Sequence, residues 1–152
     1  MRKQVKRKVW ALLNPIKHSI EGACITDRDK LDKLRVMEYS ALEAITKGMG
    51  RIQDWHTLTE VLNLSETMAR GGIGPEVLPV CEKAQKALFK AAERYNSTMR
   101  IVLDGEGIKA VRELIEYADL QQSSVSRSEF ERYIQKTRDY IKSNNHNVVE
   151  II

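Results

Sequence analysis

Apolar residues in this chain recur at steps of three and four, and the runs are closed by capping residues at one end and glycines at the other. The clearest run is Trp55, Leu58, Leu62, Ser65 and Ala69, with Val61 and Met68 widening the stripe. This spacing places the side chains on one face of a helix, where three to four residues make a turn. A chain built from such runs must bury each stripe against another helix.

The punctuation sets the segments. Asn14 followed by Pro15 predicts a short helix of two or three turns, because a proline at the first helical position loses no hydrogen bond. Thr26 with Asp29 has capping-box spacing and predicts a helix from Asp27 to Lys47. Leu34, Met37, Ala41 and Ile45 are its expected inward stripe. Asp29/Lys33 and Glu43/Lys47 add pairs in the favourable order. Gly48 and Gly50 stop it. A third helix is expected from Gln53 to Arg70, ended by Gly71-Gly72.

The longest helical signal opens at Pro75 or Pro79. Its stripe is Leu78, Cys81, Leu88 and Tyr95, with Ala84, Ala91 and Ala92 permitting close helix contact. The preferred reading continues this helix through "MRIVL" at 99–103. A ribbon pairing 99–103 with the tail "VVEII" is the lesser alternative. Asp104 caps a fifth helix with Ile108, Val111, Leu114, Ile115 and Ala118 inward. Ser126 with Glu129 opens the last, in which Phe130, Ile134, Thr137 and Ile141 share a side.

The expected fold is therefore all-α: a single-domain bundle of five or six helices with a basic N-terminal arm. Residues 1–13 form the arm and docking segment, 14–147 the helical domain, and 148–152 a C-terminal tail. At 152 residues, such a domain buries roughly 70% of the surface its unfolded chain exposes, so it needs neither metal nor disulfide to hold a core.

Charge is unevenly placed. The chain has 25 Lys and Arg against 21 Asp and Glu. Arg2, Lys3, Lys6, Arg7, Lys8 and Lys17 lie in the first 20 residues, with no acid among them. The remainder holds 19 basic against 21 acidic residues and is nearly neutral. Any pull on a polyanion thus belongs to the arm rather than to the whole surface.

The arm leads into an apolar run, Val9 to Leu13, and "EGAC" follows at 21–24. A secretion signal needs an apolar core of roughly 7 to 15 residues. Here the run is five residues long and ends at Asn14-Pro15, so export is not expected. No stretch approaches the roughly 18 apolar residues of a membrane span. Cys24 and Cys81 belong to no CxxC pair and read as reduced thiols, with Cys81 in an apolar stripe and the exposure of Cys24 left open. A cytoplasmic protein is expected.

Several patterns invite chemistry and fall short of it. His56 and Glu60 are one turn apart and make half a metal site, with no HExxH or CxxC to complete it. "RGGIGP" at 70–75 precedes a helix start, but a helix comes before it and no GK[ST] follows, so it reads as a stop and a start back to back. "DGEG" at 104–107 lacks the spaced acids of a calcium loop. "GMGRIQ" is too long for a helix-turn-helix, and acids open the helix after it. No catalytic, cofactor or metal residues are assigned, and no enzyme is expected.

One surface pattern remains. Lys83, Lys86, Lys90 and Arg94 fall within roughly an 80° arc opposite the buried stripe of the long helix, flanked by Glu82 and Glu93. The alternatives are a basic ridge for phosphates or an ordinary solvated face.

The stretches "KRKVWALLNPIKHSI", "LDKLRVMEYSALEAITKG", "LNLSETMARGGIGPEVLPVCEKAQKAL" and "RIVLDGEGIKAVRELIEYADLQQSSVSRSEFERYI" together cover most of the chain. They resemble a family of small proteins of proteobacterial phages, prophages and mobile elements. The resemblance implies a phage or mobile-element setting and carries over no site residues. The expected function is a non-enzymatic accessory protein that binds a host or phage protein complex, such as a host defence complex that it inhibits. The alternative is a nucleic-acid-binding protein that uses Arg2, Lys3, Lys6, Arg7 and Lys8 of the arm together with the Lys83–Arg94 ridge.

Overall fold

The computed structural model describes residues 28–143. Five α-helices occur among them: α1 Arg28–Thr46, α2 Ile52–Arg70, α3 Leu78–Thr98, α4 Gly105–Ser123 and α5 Arg127–Lys142. A 3-10 turn, Pro75–Val77, leads into α3, and no strand is present among the described residues. The architecture is all-α, as the apolar spacing predicts. The arm at 1–13, the short helix expected after Pro15 and the tail 148–152 lie outside the described residues.

Two of the predicted caps, Asp104 and Ser126, close their helices, while Asn14 and Thr26 lie outside the described residues. The Asp104 carboxylate accepts a hydrogen bond from the Gly107 N–H at 2.7 Å, and the Ser126 hydroxyl accepts one from the Glu129 N–H at 3.3 Å. At the start of α2, the Arg51 N–H donates to Asp54 Oδ2 at 2.8 Å. Each bond satisfies a backbone donor that the helix start would otherwise leave orphaned.

Helix α2 is the axis of the fold. It packs against α1, α3, α4 and α5, and α4 packs in turn against α1 and α3. The connections between α1, α2, α3 and α4 are short, which favours an up-and-down order of neighbouring helices. The interior is filled by Leu42, Trp55, Leu58, Leu62, Leu88, Val111, Leu114 and Ile115, all at or below 2% exposure. The Trp55 indole N–H donates to the Leu88 carbonyl oxygen at 3.0 Å, so the one polar atom of this large ring is satisfied inside the core. Gly107 lets α4 approach α3 closely, since a Cβ there would lie 3.2 Å from the Ala87 Cβ. A second, smaller cluster of Met68, Ile73, Val125 and Phe130, with Leu64, Tyr133 and Ile134 against it, attaches α5 to α2.

Two expectations are corrected. Helix α3 does not continue through 99–103. It ends at Thr98, and Met99 takes a left-handed conformation with φ +57°. The Thr98 and Ser97 hydroxyls both donate to the Arg94 carbonyl, at 2.7 and 3.1 Å, a local bonding pattern that competes with helix continuation. Beyond Met99 the chain has no regular secondary structure up to Asp104, with Ile101 and Leu103 buried and Val102 facing out. The apolar run is a connector whose alternate residues plug the core.

The second correction is the inward face of α1. Ala41 and Ile45 are buried as expected, but Leu34 is only half-buried and Met37 is 60% exposed. The buried positions are Leu31, Glu38, Ala41, Leu42 and Ile45. The face is turned by roughly half of one 100° residue step from the predicted stripe, because α1 lies between α2 and α4 and packs on both.

Candidate functional site

The expected basic ridge is a real surface. Lys83, Lys86, Lys90 and Arg94 are all exposed along α3. They are not equally free. Lys86 Nζ pairs with Glu82 Oε1 at 3.2 Å. Arg94 reaches across to the α3–α4 connector, donating to the Val102 carbonyl at 3.5 Å with its guanidinium 4.0 Å from the Asp104 carboxylate. Lys83 and Lys90 have no ion-pair partner among the described residues. Among the described residues, the ridge therefore presents two charges without an ion-pair partner. Arg2, Lys3, Lys6, Arg7 and Lys8 lie outside the described residues.

The other motifs resolve into structural roles. His56 is exposed and stands edge-on to the Trp55 ring at 5.4 Å, and Glu60 is exposed below it. Among the described residues, no group of three or more His, Cys, Asp or Glu side chains is placed to hold a metal ion. Cys81 is 2% exposed. Burial pushes its thiol up to about 12, and the nearby Glu66 charge adds to the shift. At neutral pH it is an un-ionised core group rather than a nucleophile. Cys24 lies outside the described residues.

The "RGGIGP" turn joins regions instead of cradling an anion. Gly72 and Gly74 have φ of +94° and +66°, which glycine tolerates without strain. Ile73 between them is buried in the small cluster, and its carbonyl accepts from Gln121 Nε2 at 2.9 Å. The same Gln121 nitrogen donates to the Ser65 carbonyl at 3.1 Å. The Tyr133 hydroxyl donates to the Gly71 carbonyl at 3.3 Å. Side chains from α4 and α5 thus hold the turn through its carbonyls.

Two features were not found from sequence. The first is a charged seam between α1 and α4. The Arg35 guanidinium pairs with the Asp119 carboxylate, while Arg35 Nε is buried with no hydrogen-bond partner. Glu38, one turn along α1, is 4% exposed. Burial pushes its carboxyl up to about 7; Arg35 opposes this shift and Asp119 reinforces it. Tyr39 is also raised, by burial first and then by the Glu116 charge. A signal was present: Leu31, Glu38 and Ile45 are spaced by sevens, which puts the carboxyl on the apolar face.

The second is an apolar end of the bundle. Met49, in the α1–α2 connector, is 67% exposed. Met99 and Val102, in the α3–α4 connector, are 72% and 41% exposed. An up-and-down order of α1 to α4, the arrangement that short connections favour, puts both connectors at one end. Exposed Lys47, Arg51 and Arg100 accompany them. Met99 is the one non-glycine residue with positive φ among the described residues. A branched or long side chain is costly there, where glycine or asparagine would sit with less strain.

Comparison of the chain with protein-family models, with curated proteins and with solved structures finds no match.

Proposed function

We propose that this protein acts by binding another protein, as an accessory factor of a phage or mobile element, and that it does so through the bundle end bearing Met49, Met99 and Val102. The observation that carries the reading is Met99: a flexible apolar side chain, 72% exposed, held at a backbone conformation that disfavours it. Strain of this kind, of order 1–3 kcal/mol, tends to be kept where a side chain has a task. Exposed methionine suits a recognition surface because its thioether is polarizable and adapts to the shape it meets. The setting follows the sequence resemblance, in which a host or phage protein complex, such as a host defence complex, is the partner.

The test is co-purification with quantitative mass spectrometry from host cells, comparing the wild-type chain with Met99→Asn combined with Met49→Ser. The expected result is a protein enriched by the wild type and lost from the double variant while its circular dichroism is unchanged. An equal set of proteins from both would refute the role of this end. Recovery of nucleic acid alone, abolished by nuclease, would refute protein binding altogether.

A second reading has its own observation, the unneutralised Lys83 and Lys90 on α3. With the five arm charges it makes a polyanion-binding protein. If all five arm charges met phosphates, the slope of log K against log[salt] would reach about −4.5, and a fourfold rise in salt would weaken binding roughly 500-fold. A gel-shift salt titration of the intact chain against one starting at Val9 measures this. No shift at low salt, or an unchanged slope after truncation, rules it out.

A further inference from the structure

Helix α3 packs on α2, on α4 and on the 3-10 turn, and its remaining side faces solvent. That side carries two rows of side chains. The first is cationic. Lys83, Lys90 and Arg94 are exposed and fall within an arc of roughly 40°. Lys83 and Lys90 have no ion-pair partner among the described residues, whereas Lys86 is held by Glu82 and Arg94 is drawn toward Asp104.

The second row runs beside the first. Gln85, Phe89 and Asn96 fall within another arc of roughly 40°, and Phe89 lies about 100° round the helix from Lys90. Phe89 is 45% exposed. Asn96 is exposed and Gln85 half-buried. Glu93 stands between the rows, four residues after Phe89 and three after Lys90.

The rows call for different chemistry side by side. Lysines attract phosphates whatever the sequence. An exposed ring suits the flat face of a base, and amides in line with it suit base edges. The Glu93 carboxylate repels phosphate, which keeps a bound backbone on the Lys83–Arg94 side, and it can accept from the amino group of a base. A ligand that fills both rows has a phosphate backbone and free base faces. A duplex offers the backbone and hides the faces in its stack. A single strand offers both.

We propose that the outer side of α3 is a docking surface for single-stranded nucleic acid, with Lys83 and Lys90 on phosphates and the Phe89 ring stacked on a base. The inference rests on the polyanion reading given above and adds to it the form of nucleic acid that is taken.

The experiment is a fluorescence-anisotropy titration of the full-length protein over a range of salt. The probes are a labelled single strand of about 20 nucleotides, long enough to span one small binding surface, and the duplex of the same sequence. The variants are Phe89→Leu, Phe89→Trp, and Lys83→Gln combined with Lys90→Gln. The wild type should bind the single strand more tightly than the duplex. Phe89→Leu should weaken single-strand binding about fivefold or more and leave the duplex unchanged. Phe89→Trp should keep single-strand binding, because it keeps a ring. The lysine pair should make the single-strand slope of log K against log[salt] shallower by about 1.4. Equal affinity for the two forms would overturn the surface while leaving the polyanion reading in place. A single-strand preference that survives Phe89→Leu, or a slope unchanged in the lysine pair, would do the same. Absence of binding to either form at low salt would overturn both.

Discussion

The two apolar clusters of this protein differ in how many helices they join. The larger draws its buried residues from α1, α2, α3, α4 and the connectors between them. The smaller has Met68, Ile73, Val125 and Phe130, and joins α5 to one helix, α2. In the first, side chains from four helices share one interior, so losing one loosens several elements. In the second, α5 leans on a narrow strip and on single bonds such as Tyr133 to the Gly71 carbonyl. Cooperativity follows the number of elements a cluster ties together, and local opening is drawn from places that tie few. The bundle of α1 to α4 should behave as one unit and α5 as an attachment.

The largest test of this contrast is Trp55→Ala. The ring is fully buried and its N–H is bonded to the Leu88 carbonyl. Its loss should cost ~4–5 kcal/mol, measured by urea denaturation, with protection lost together in α1 to α4. Loss confined to α2 would break the picture of one unit.

Phe130→Ala tests the other side. Phe130 is 8% exposed and central to the small cluster. Truncation should remove up to ~3 kcal/mol of local stability. Hydrogen exchange should then show α5 opening while α1 to α4 keep their protection, and the global denaturation midpoint should move less than the local change. Global unfolding of equal size would make α5 part of the main unit.

Glu38→Gln asks on which side of the line α1 falls. A carboxyl raised from 4.5 to about 7 in the fold binds more protons folded than unfolded. Its contribution is complete below pH 4.5 and is lost as pH rises to about 7. The variant should therefore gain on the wild type progressively between these values, by at most ~3 kcal/mol. Thermal denaturation in buffers from pH 4.5 to 8 measures the gain. A constant difference across that range would remove Glu38 from the pH response.

The smallest effect is expected from Met99→Asn. Asparagine accepts the left-handed conformation more readily, so the variant should be more stable by ~0.5–1 kcal/mol even as it loses the proposed partner. A destabilised variant would show that Met99 is held by packing and is not a strained recognition group.

Particular residues show how much was legible. The caps Asp104 and Ser126, the stop at Gly71-Gly72 and the α2 stripe from Trp55 to Ala69 were readable because each rests on backbone chemistry within one turn. The Lys83–Arg94 ridge was readable as a set, since helical spacing alone puts four such residues on one side. That Lys86 and Arg94 are partly neutralised was only half visible: Glu82 lies on the same helix, but Asp104 belongs to the next connector. "MRIVL" was misread because a short apolar run has no period of its own. What decides its conformation is that Ile101 and Leu103 reach a core formed by other helices.

The sequence by itself determined the helices, their ends and the near-neutral charge outside the arm, because propensity, capping and periodicity act over a few residues. Only the tertiary structure decided the rotation of α1, the burial of Glu38 beside Arg35, and the exposure of Met49, Met99 and Val102 on two connectors. Each of these depends on which helix lies against which, and that is settled by packing residues far apart in the chain.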